Sequence, residues 1–201
     1  MRQVIAGASR GETDAATPLD EPGAHASACL DFYAKLASGV SVVTAQGRGG
    51  PVGSTVSAVT SLSAAPPLLV VCLGTGSRTL AVIKAQGRFT VNLLHQSQQE
   101  RAKLFANPQV GSAERFAHQA HRQVLAAPVL EDALAWSVCL SEDIRRYGDH
   151  CLVVGRIAAV RTGSGQPLLW HDRAFRTLAE PDRTVPADRA APETQPSLEA
   201  P

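Results

Sequence analysis

Residues 39–46 (GVSVVTAQ) and 52–62 (VGSTVSAVTSL) are two runs rich in valine and threonine, separated by Gly47-Arg48-Gly49-Gly50-Pro51. A glycine-rich break of this length between two such runs is typical of a β-hairpin. Working outward along the chain, further strand-like runs cover residues 67–73, 88–94, 133–144 and 150–161. Many strands with hairpin-like spacing and few helices predict a mainly β (α+β) fold, an antiparallel barrel with peripheral helices.

Three segments between these strands have helical patterns. Ser27 is a suitable N-cap for a short helix that places Leu30, Tyr33 and Leu36 on related faces. A second helix is predicted from Ser77 to Ala85, ended by Gly87, and a third over about 96–106. A doubly wound parallel sheet needs more helices between its strands than this.

The two ends of the chain differ from its middle in composition. Residues 1–26 and 181–201 are rich in Ala, Pro and polar residues without periodicity, which predicts flexible tails around one folded unit, 27–180. Hydrophobic residues make up 44% of the chain and charged residues 18%, and the net charge is +1. This balance predicts a compact protein that binds neither nucleic acid nor an anionic membrane surface.

The four cysteines (Cys29, Cys72, Cys139 and Cys151) form no CxxC pair and have no metal-type spacing. They are interpreted as reduced thiols. Neither a signal-peptide apolar region nor a membrane-length apolar stretch occurs, so we expect a cytoplasmic location.

The run Gly53–Ser63 contains an unusual density of small hydroxyl residues. If it is one continuous strand, Thr55, Ser57, Val59 and Ser61 share one face. Small side chains let a flat ligand with polar edges approach the backbone closely. An ordinary strand with its hydroxyls in solvent explains the same pattern equally well.

A second candidate site lies where an apolar strand meets a helix, at Leu73-Gly74-Thr75-Gly76-Ser77-Arg78-Thr79-Leu80. The unpaired N–H groups of a helix start, together with hydroxyls and Arg78, suit a phosphate. A plain N-cap by Ser77 is the alternative. A dinucleotide-binding glycine motif is rejected, because Thr79 stands in place of its third glycine.

Histidines offer two further candidates. Glu114, His118 and His121 have helical spacing, but solvated side chains explain them better than a metal site does, and no metal is predicted. His150 follows Gly148 and Asp149 at a predicted turn between two strong strands, where a side chain is exposed at the rim of a barrel.

Taken in order, these residues resemble the flavin reductase-like, FMN-binding split-barrel family, which includes the reductase components of two-component flavin monooxygenases. The resemblance covers about residues 30–178. It is carried by the segments SGVSVVTAQ (38–46), GSTVSAVTSLS (53–63), PPLLVVCL (66–73), SRTLAVI (77–83), GRFTVNLL (87–94), LFA (104–106), RF (115–116) and GDHCLVVG (148–155). It implies a homodimeric, six-stranded antiparallel split barrel with the flavin in a groove near the subunit interface.

The resemblance also implies roles for individual residues. Flavin ring contacts are expected from the strand that holds Ser54, Thr55, Ser57, Ala58, Val59, Thr60 and Ser61. Flavin phosphate contacts are expected from Ser77, Arg78 and Thr79. The remaining expected contacts are Asn92 and Phe175 near the flavin, and Asp149 with His150 on the nicotinamide side. Val59 stands where the family usually has Phe, and Phe175 where it often has Tyr.

The implied activity is reduction of FMN or FAD by hydride transfer from NADH or NADPH. The reduced flavin would then serve a partner monooxygenase. Two alternatives stay open from the residues alone. One is a biosynthetic split-barrel enzyme that acts on an organic substrate with bound flavin or none. The other is a non-catalytic flavin-binding protein.

Overall fold

The computed structural model describes residues 24–179. Its helices are α1 (Ala24–Ala34), α2 (Arg78–Gln86), α3 (Gln99–Ala106) and α4 (Ser112–Ala117). Its strands are β1 (Ser38–Gly39), β2 (Ser41–Gly47), β3 (Gly50–Val56), β4 (Val59–Ala64), β5 (Pro67–Gly74), β6 (Arg88–Leu93), β7 (His121–Val124), β8 (Ala127–Leu130), β9 (Ala135–Tyr147), β10 (His150–Thr162), β11 (Leu169–His171) and β12 (Ala174–Arg176). The tail predicted over 181–201 lies outside the described residues. So does the one predicted over 1–26, except for 24–26, which belong to α1.

The main sheet is antiparallel and has seven strands in the order β3-β2-β6-β9-β10-β5-β4. Its two edge strands, β3 and β4, are consecutive along the chain and only Ser57 and Ala58 separate them. The backbone N–H of Cys72 on β5 donates to Ala58 O at 3.0 Å. This bond extends the pairing of β5 with β4 by one residue. Because only two residues join the edge strands, the two edges meet at this point and the sheet curls into a barrel, as expected.

The strand predicted over 52–62 is the main error of the sequence interpretation. It is broken at Ser57 and Ala58, because β3 pairs with β2 whereas β4 pairs with β5 at the opposite edge of the sheet. The expected six strands thus become seven. The expected shared face also fails beyond Ser57: Val59 packs against the buried core, whereas Ser61 is exposed.

The barrel interior forms the largest buried cluster. Phe89, Val71 and Val153 have no exposed surface, and α2 adds Leu80 and Ile83 from outside the strands. Every second residue of β5 and β10 faces this cluster, as strand geometry requires: Leu69, Val71 and Leu73 on β5, and Cys151 and Val153 on β10.

Helix α2 begins and ends where the sequence predicts. Ser77 is its N-cap and accepts a hydrogen bond from Leu80 N–H at 3.3 Å, while Gly87 adopts a left-handed conformation with φ 65° at its C-terminus. The predicted N-cap at Ser27 is wrong, because α1 already begins at Ala24. Helix α3 begins at Gln99 rather than near 96, since residues 95–98 form a turn closed by Gln98 N–H donating to His95 O at 2.9 Å.

Within residues 24–179, no helix is long and apolar enough to cross a membrane.

A bidentate salt bridge joins helix α3 to the loop after β8. Arg101 Nη1 and Nη2 lie 2.5 and 2.9 Å from the two carboxylate oxygens of Asp132. The hydrogen bond from Arg101 is the largest cause that lowers the pKa of Asp132, so this carboxylate is more acidic in the folded protein. A lowered folded-state pKa gives stability that is present above the ordinary Asp pKa of about 4 and is lost as the pH falls through the folded value.

We therefore expect Asp132→Asn to lower the free energy of unfolding at pH 7 by about 1 kcal/mol, since the Asp132 carboxylate is half exposed and screened. The difference from the wild type should shrink as the pH falls below the ordinary Asp pKa of about 4 and vanish below the lowered folded-state pKa of Asp132. Urea unfolding at several pH values measures both. Glu100→Gln, which breaks the exposed Glu100–Lys103 pair at 2.6 Å, is the control and should cost almost nothing. A pH-independent loss in Asp132→Asn would contradict this account.

Candidate functional site

A cleft of about 720 Å³, here called the main cleft, opens where the two sheet edges meet. Its walls are the end of β3 with Ser57 and Ala58, the end of β5, the start of α2, the segment 105–112 with Arg115 of α4, and His150. It therefore brings together the two candidate stretches that are about twenty residues apart in sequence.

The β3 wall carries the predicted hydroxyls, two of which also tie the wall to its neighbours. Ser54 Oγ and Thr79 Oγ1 are 2.8 Å apart, which joins β3 to α2. Thr55 Oγ1 donates to Ala102 O at 2.7 Å, which joins β3 to α3. Ser57 and Ala58 follow at the exposed bend. The wall is thus a braced backbone edge with small side chains, which a flat ring can approach closely.

The helix-start wall is cationic. Ser77 caps α2, and Arg78 reaches across the cleft, where its Nη1 donates to Ser112 Oγ at 3.4 Å. Thr79 lines the cleft but is almost fully buried and bonded to Ser54. The N–H groups at the start of α2 and the Arg78 charge favour a phosphate here.

Arg115 is a cleft residue that the sequence interpretation missed. It lies on α4 and lines the main cleft, and its Nη1 donates to Gly53 O at 2.7 Å. Burial, and then the nearby charge of Arg78, lower the pKa of Arg115. The available signal was the Arg-Phe pair at 115–116, which contributed to the family resemblance without being given a role.

The charge of the main cleft is of one sign. Its lining residues in the described part of the chain include Arg78, Arg115 and His150 but no Asp or Glu. Within residues 24–179, no carboxylate lies within 4 Å of either guanidinium. Unpaired cations in a cleft attract an anionic ligand.

The turn between β9 and β10 places His150 at the rim of the main cleft, as predicted. Gly148 supplies the left-handed conformation that the turn requires, with φ 58°. Asp149 O accepts a hydrogen bond from Thr75 N–H at 2.8 Å, so the turn is fixed to the segment before α2. The Asp149 side chain does not line the cleft. Its Oδ1 lies 2.8 Å from His150 Nδ1, and this hydrogen bond lowers the pKa of Asp149.

A second cleft of about 530 Å³ shares Thr55, Ser57 and Ala106 with the main cleft. Phe175 lines this second cleft, not the main one, and forms an edge-to-face pair with Trp170 at 5.1 Å between ring centroids. The shared residues mean that a ring bound along β3 borders both clefts.

Helix α1 braces the wall of the second cleft. The turn between β11 and β12 has left-handed residues at Asp172 (φ 51°) and Arg173 (φ 57°). Lys35 Nζ lies 3.0 Å from the Asp172 carboxylate, and Arg173 Nη2 lies 2.6 Å from that of Asp31. These ion pairs join α1 and the residue after it to a turn whose left-handed conformation is uncommon for residues other than Gly, Asn and Asp.

Several residues expected near the flavin line neither cleft. Val59, Thr60 and Ser61 lie on β4, which runs away from both clefts after Ala58. Asn92 is fully buried: its Nδ2 donates to Val42 O at 2.9 Å, and its Oδ1 accepts from Leu130 N–H at 2.8 Å. The structure therefore gives Asn92 a role in joining strands, and the expectation of a direct ligand contact is not supported.

The two histidines at helical spacing lie in different places: His118 is exposed at the C-terminal end of α4, whereas His121 is the first residue of β7. The His121 ring contacts Phe116 edge-to-face at 5.1 Å, and its Nδ1 lies 2.7 Å from Gln119 O. Among residues 24–179, no group of three His, Cys, Asp or Glu side chains is arranged to hold a metal ion.

The chain belongs to a known family. A model of the flavin reductase like domain matches residues 33–179, which include every wall of the main cleft.

Relatives and solved structures agree with this membership. The chain is 40% identical to the reductase component of a 4-nitrophenol 4-monooxygenase/4-nitrocatechol 2-monooxygenase of Rhodococcus opacus, over 70% of this chain and 74% of that one. It is 35% identical to the FMN reductase (NADH) RutF of Methylorubrum extorquens, over 92% and 93%. It spans only 42% of the length of a probable flavin reductase of Rhizobium meliloti, at 38% identity over 66% of this chain.

The structure of the NADH:FAD oxidoreductase SgcE6 of Streptomyces globisporus, in complex with NAD and FAD fragments, superposes with a TM-score of 0.73 at 26% identity. The match covers 80% of this chain and 96% of that one.

Proposed function

We propose that this protein is an NAD(P)H-dependent flavin reductase that binds FMN or FAD in the main cleft. One observation carries the proposal: inside a single cleft, a strand edge of small residues faces a helix start with Arg78, and Arg115 lies nearby. No carboxylate is among the cleft's lining residues in the described part of the chain. A flavin has the matching chemistry, with a planar ring that has polar edges at one end and a phosphate at the other.

The residues present fit such a ligand. Ser77, Arg78 and the N–H groups at the start of α2 would hold the phosphate. The backbone from Thr55 to Ala58 would bind the ring edge, and Phe175 would border the ring from the second cleft.

When bound, the flavin supplies the redox chemistry by accepting a hydride from NADH or NADPH. The protein orients the two partners and stabilises negative charge at the ring edge, for which backbone N–H groups between Thr55 and Ala58 are suited. His150 would seat the nicotinamide at the cleft rim, held in place by Asp149. Hydride transfer requires no proton donor from the chain.

The relatives support a further step. The Rhodococcus opacus relative is named as the reductase component of a monooxygenase, which favours release of the reduced flavin to a partner monooxygenase here. A homodimer and a cytoplasmic location, where reduced nicotinamides are available, complete the proposal.

The test is a titration of purified protein with FMN and FAD, followed by NADH and NADPH oxidation at saturating flavin. We expect saturable flavin binding and flavin-dependent oxidation of at least one nicotinamide. Flavin binding without oxidation of either nicotinamide would leave a flavin-binding protein and contradict the reductase. Tight copurified flavin with no turnover of added flavin would favour the biosynthetic alternative.

A further inference from the structure

Arg115 joins two walls of the main cleft, but this structural role alone does not explain why a charged side chain lies there. Its two terminal nitrogens donate to backbone carbonyls, Nη1 to Gly53 O at 2.7 Å and Nη2 to Asn107 O. These carbonyls belong to two different walls of the main cleft, β3 and the segment after α3. The guanidinium thereby joins the wall that would hold a ring to the wall that faces the start of α2.

The bonding of Arg115 is incomplete. Its Nε is buried and has no hydrogen-bond partner in the structure. A buried donor without a partner costs free energy, and more when it belongs to a charged group. Carbonyl oxygens stabilise the guanidinium partly, but no carboxylate among residues 24–179 lies within 4 Å to balance its charge.

Arg78 makes this position still less favourable without a ligand. The two like charges repel, and burial together with Arg78 lowers the pKa of Arg115. A bound group with two negative charges would offset the repulsion between Arg78 and Arg115. It would also supply the negative charge that neither guanidinium has nearby in the described part of the chain. A phosphate monoester carries about −1.5 to −2 at neutral pH, whereas riboflavin carries no phosphate.

We propose that Arg115 is the specificity-determining residue of the main cleft, so that the protein selects flavins that carry a phosphate over riboflavin. This inference rests on the proposed function. Arg115 acts through charge toward the phosphate and through its bonds to the two walls. Its geometry suits a guanidinium, because a lysine ammonium cannot span two carbonyls in this planar fork.

The experiment measures the dissociation constants of FMN and riboflavin for the wild type and the variants Arg115→Gln, Arg115→Lys and Arg78→Gln. Arg48→Gln is the matched control, because Arg48 lies in the exposed β2–β3 turn, lines neither cleft and carries the same charge. We expect the wild type to prefer FMN. Arg115→Gln should weaken FMN binding by about 30-fold and riboflavin binding by less than about 3-fold.

The preference is the ratio of the riboflavin dissociation constant to the FMN dissociation constant. The logarithm of this ratio should fall by about half in Arg115→Lys and stay unchanged in Arg48→Gln. Equal affinity of the wild type for both flavins would overturn the inference. An equal loss of both flavins in Arg115→Gln would also overturn it, because a purely structural role predicts that result. If Arg115→Gln does not fold, an unchanged preference in Arg115→Lys overturns it.

A second measurement separates this inference from the proposed function. Inorganic pyrophosphate should raise the melting temperature of the wild type and of Arg48→Gln, but not of Arg115→Gln. If the wild type binds no flavin yet shows this rise, the flavin reductase proposal fails and the anion site stands. If neither flavin nor pyrophosphate has any effect, both fail.

Discussion

Gly155→Ala should lower the free energy of unfolding by about 3 kcal/mol, the largest stability effect we expect from a single methyl group. Gly155 lies at an irregularity of β10, where the register against β9 shifts. A Cβ at this position would lie 2.5 Å from Phe89 Cζ and 2.9 Å from Cys139 Cβ. Both neighbours are fully buried inside the barrel, so neither can move without disturbing the core.

Urea or thermal unfolding measures the effect, and Gly49→Ala is the control. Gly49 lies in the exposed β2–β3 turn, where a new Cβ meets nothing within 4 Å, so its free energy of unfolding should change by less than about 0.5 kcal/mol. Shortening the opposing ring with Phe89→Leu in the Gly155→Ala background should recover part of the loss. Equal stabilities of Gly155→Ala and Gly49→Ala would show that the barrel interior tolerates the added volume.

Ala58→Glu should weaken FMN binding by roughly 100-fold, the largest functional effect we expect outside the phosphate end. Ala58 lines the main cleft at the bend between β3 and β4. A glutamate there adds bulk where the ring would lie and a negative charge where reduction makes the ring edge negative. The titrated, oxidised ring is neutral, so the loss of FMN binding comes from the added bulk. The reduced, anionic ring is repelled in addition, by about 4 kcal/mol for two like charges at about 4 Å and an effective dielectric constant of about 20.

The backbone bond from Cys72 N–H to Ala58 O involves no side-chain atom of Ala58, and the side chain is exposed, so the fold should tolerate the change. Thr60→Glu is the matched control, because Thr60 is an exposed β4 residue that lines neither cleft. Fluorescence titration with FMN compares the two variants. A comparable affinity in both would show that the flavin does not contact this bend.

The sequence predicted the long strands of the main sheet because they are apolar, β-branched runs whose ends are marked by Gly, Pro and Asp. The short strands β1, β7, β8, β11 and β12 were not predicted. The ends of α2 were also predictable, since an N-cap serine and a left-handed glycine act within one helical turn. The break at Ser57 and Ala58 was not predictable from that pattern. Alternation continues through these residues, and only pairing with two different strands forces the chain to bend there.

The candidate site divides in the same way. The hydroxyl strand, the helix start at Ser77 and the turn before His150 are local motifs, and their residues are recognisable from the sequence alone. Arg115 required the fold, because its bonds to Gly53 and Asn107 depend on where α4 packs.

The sequence by itself thus determined the long strands, helix α2, the family resemblance and the local motifs of this protein, because each depends on neighbours within a few residues. The tertiary structure alone decided which side chains face the clefts. In the folded protein Asn92 lies in a buried hydrogen-bond network, and Phe175 lines the second cleft. The physical reason is that burial, unpaired charge and approach between backbones depend on segments that are distant along the chain.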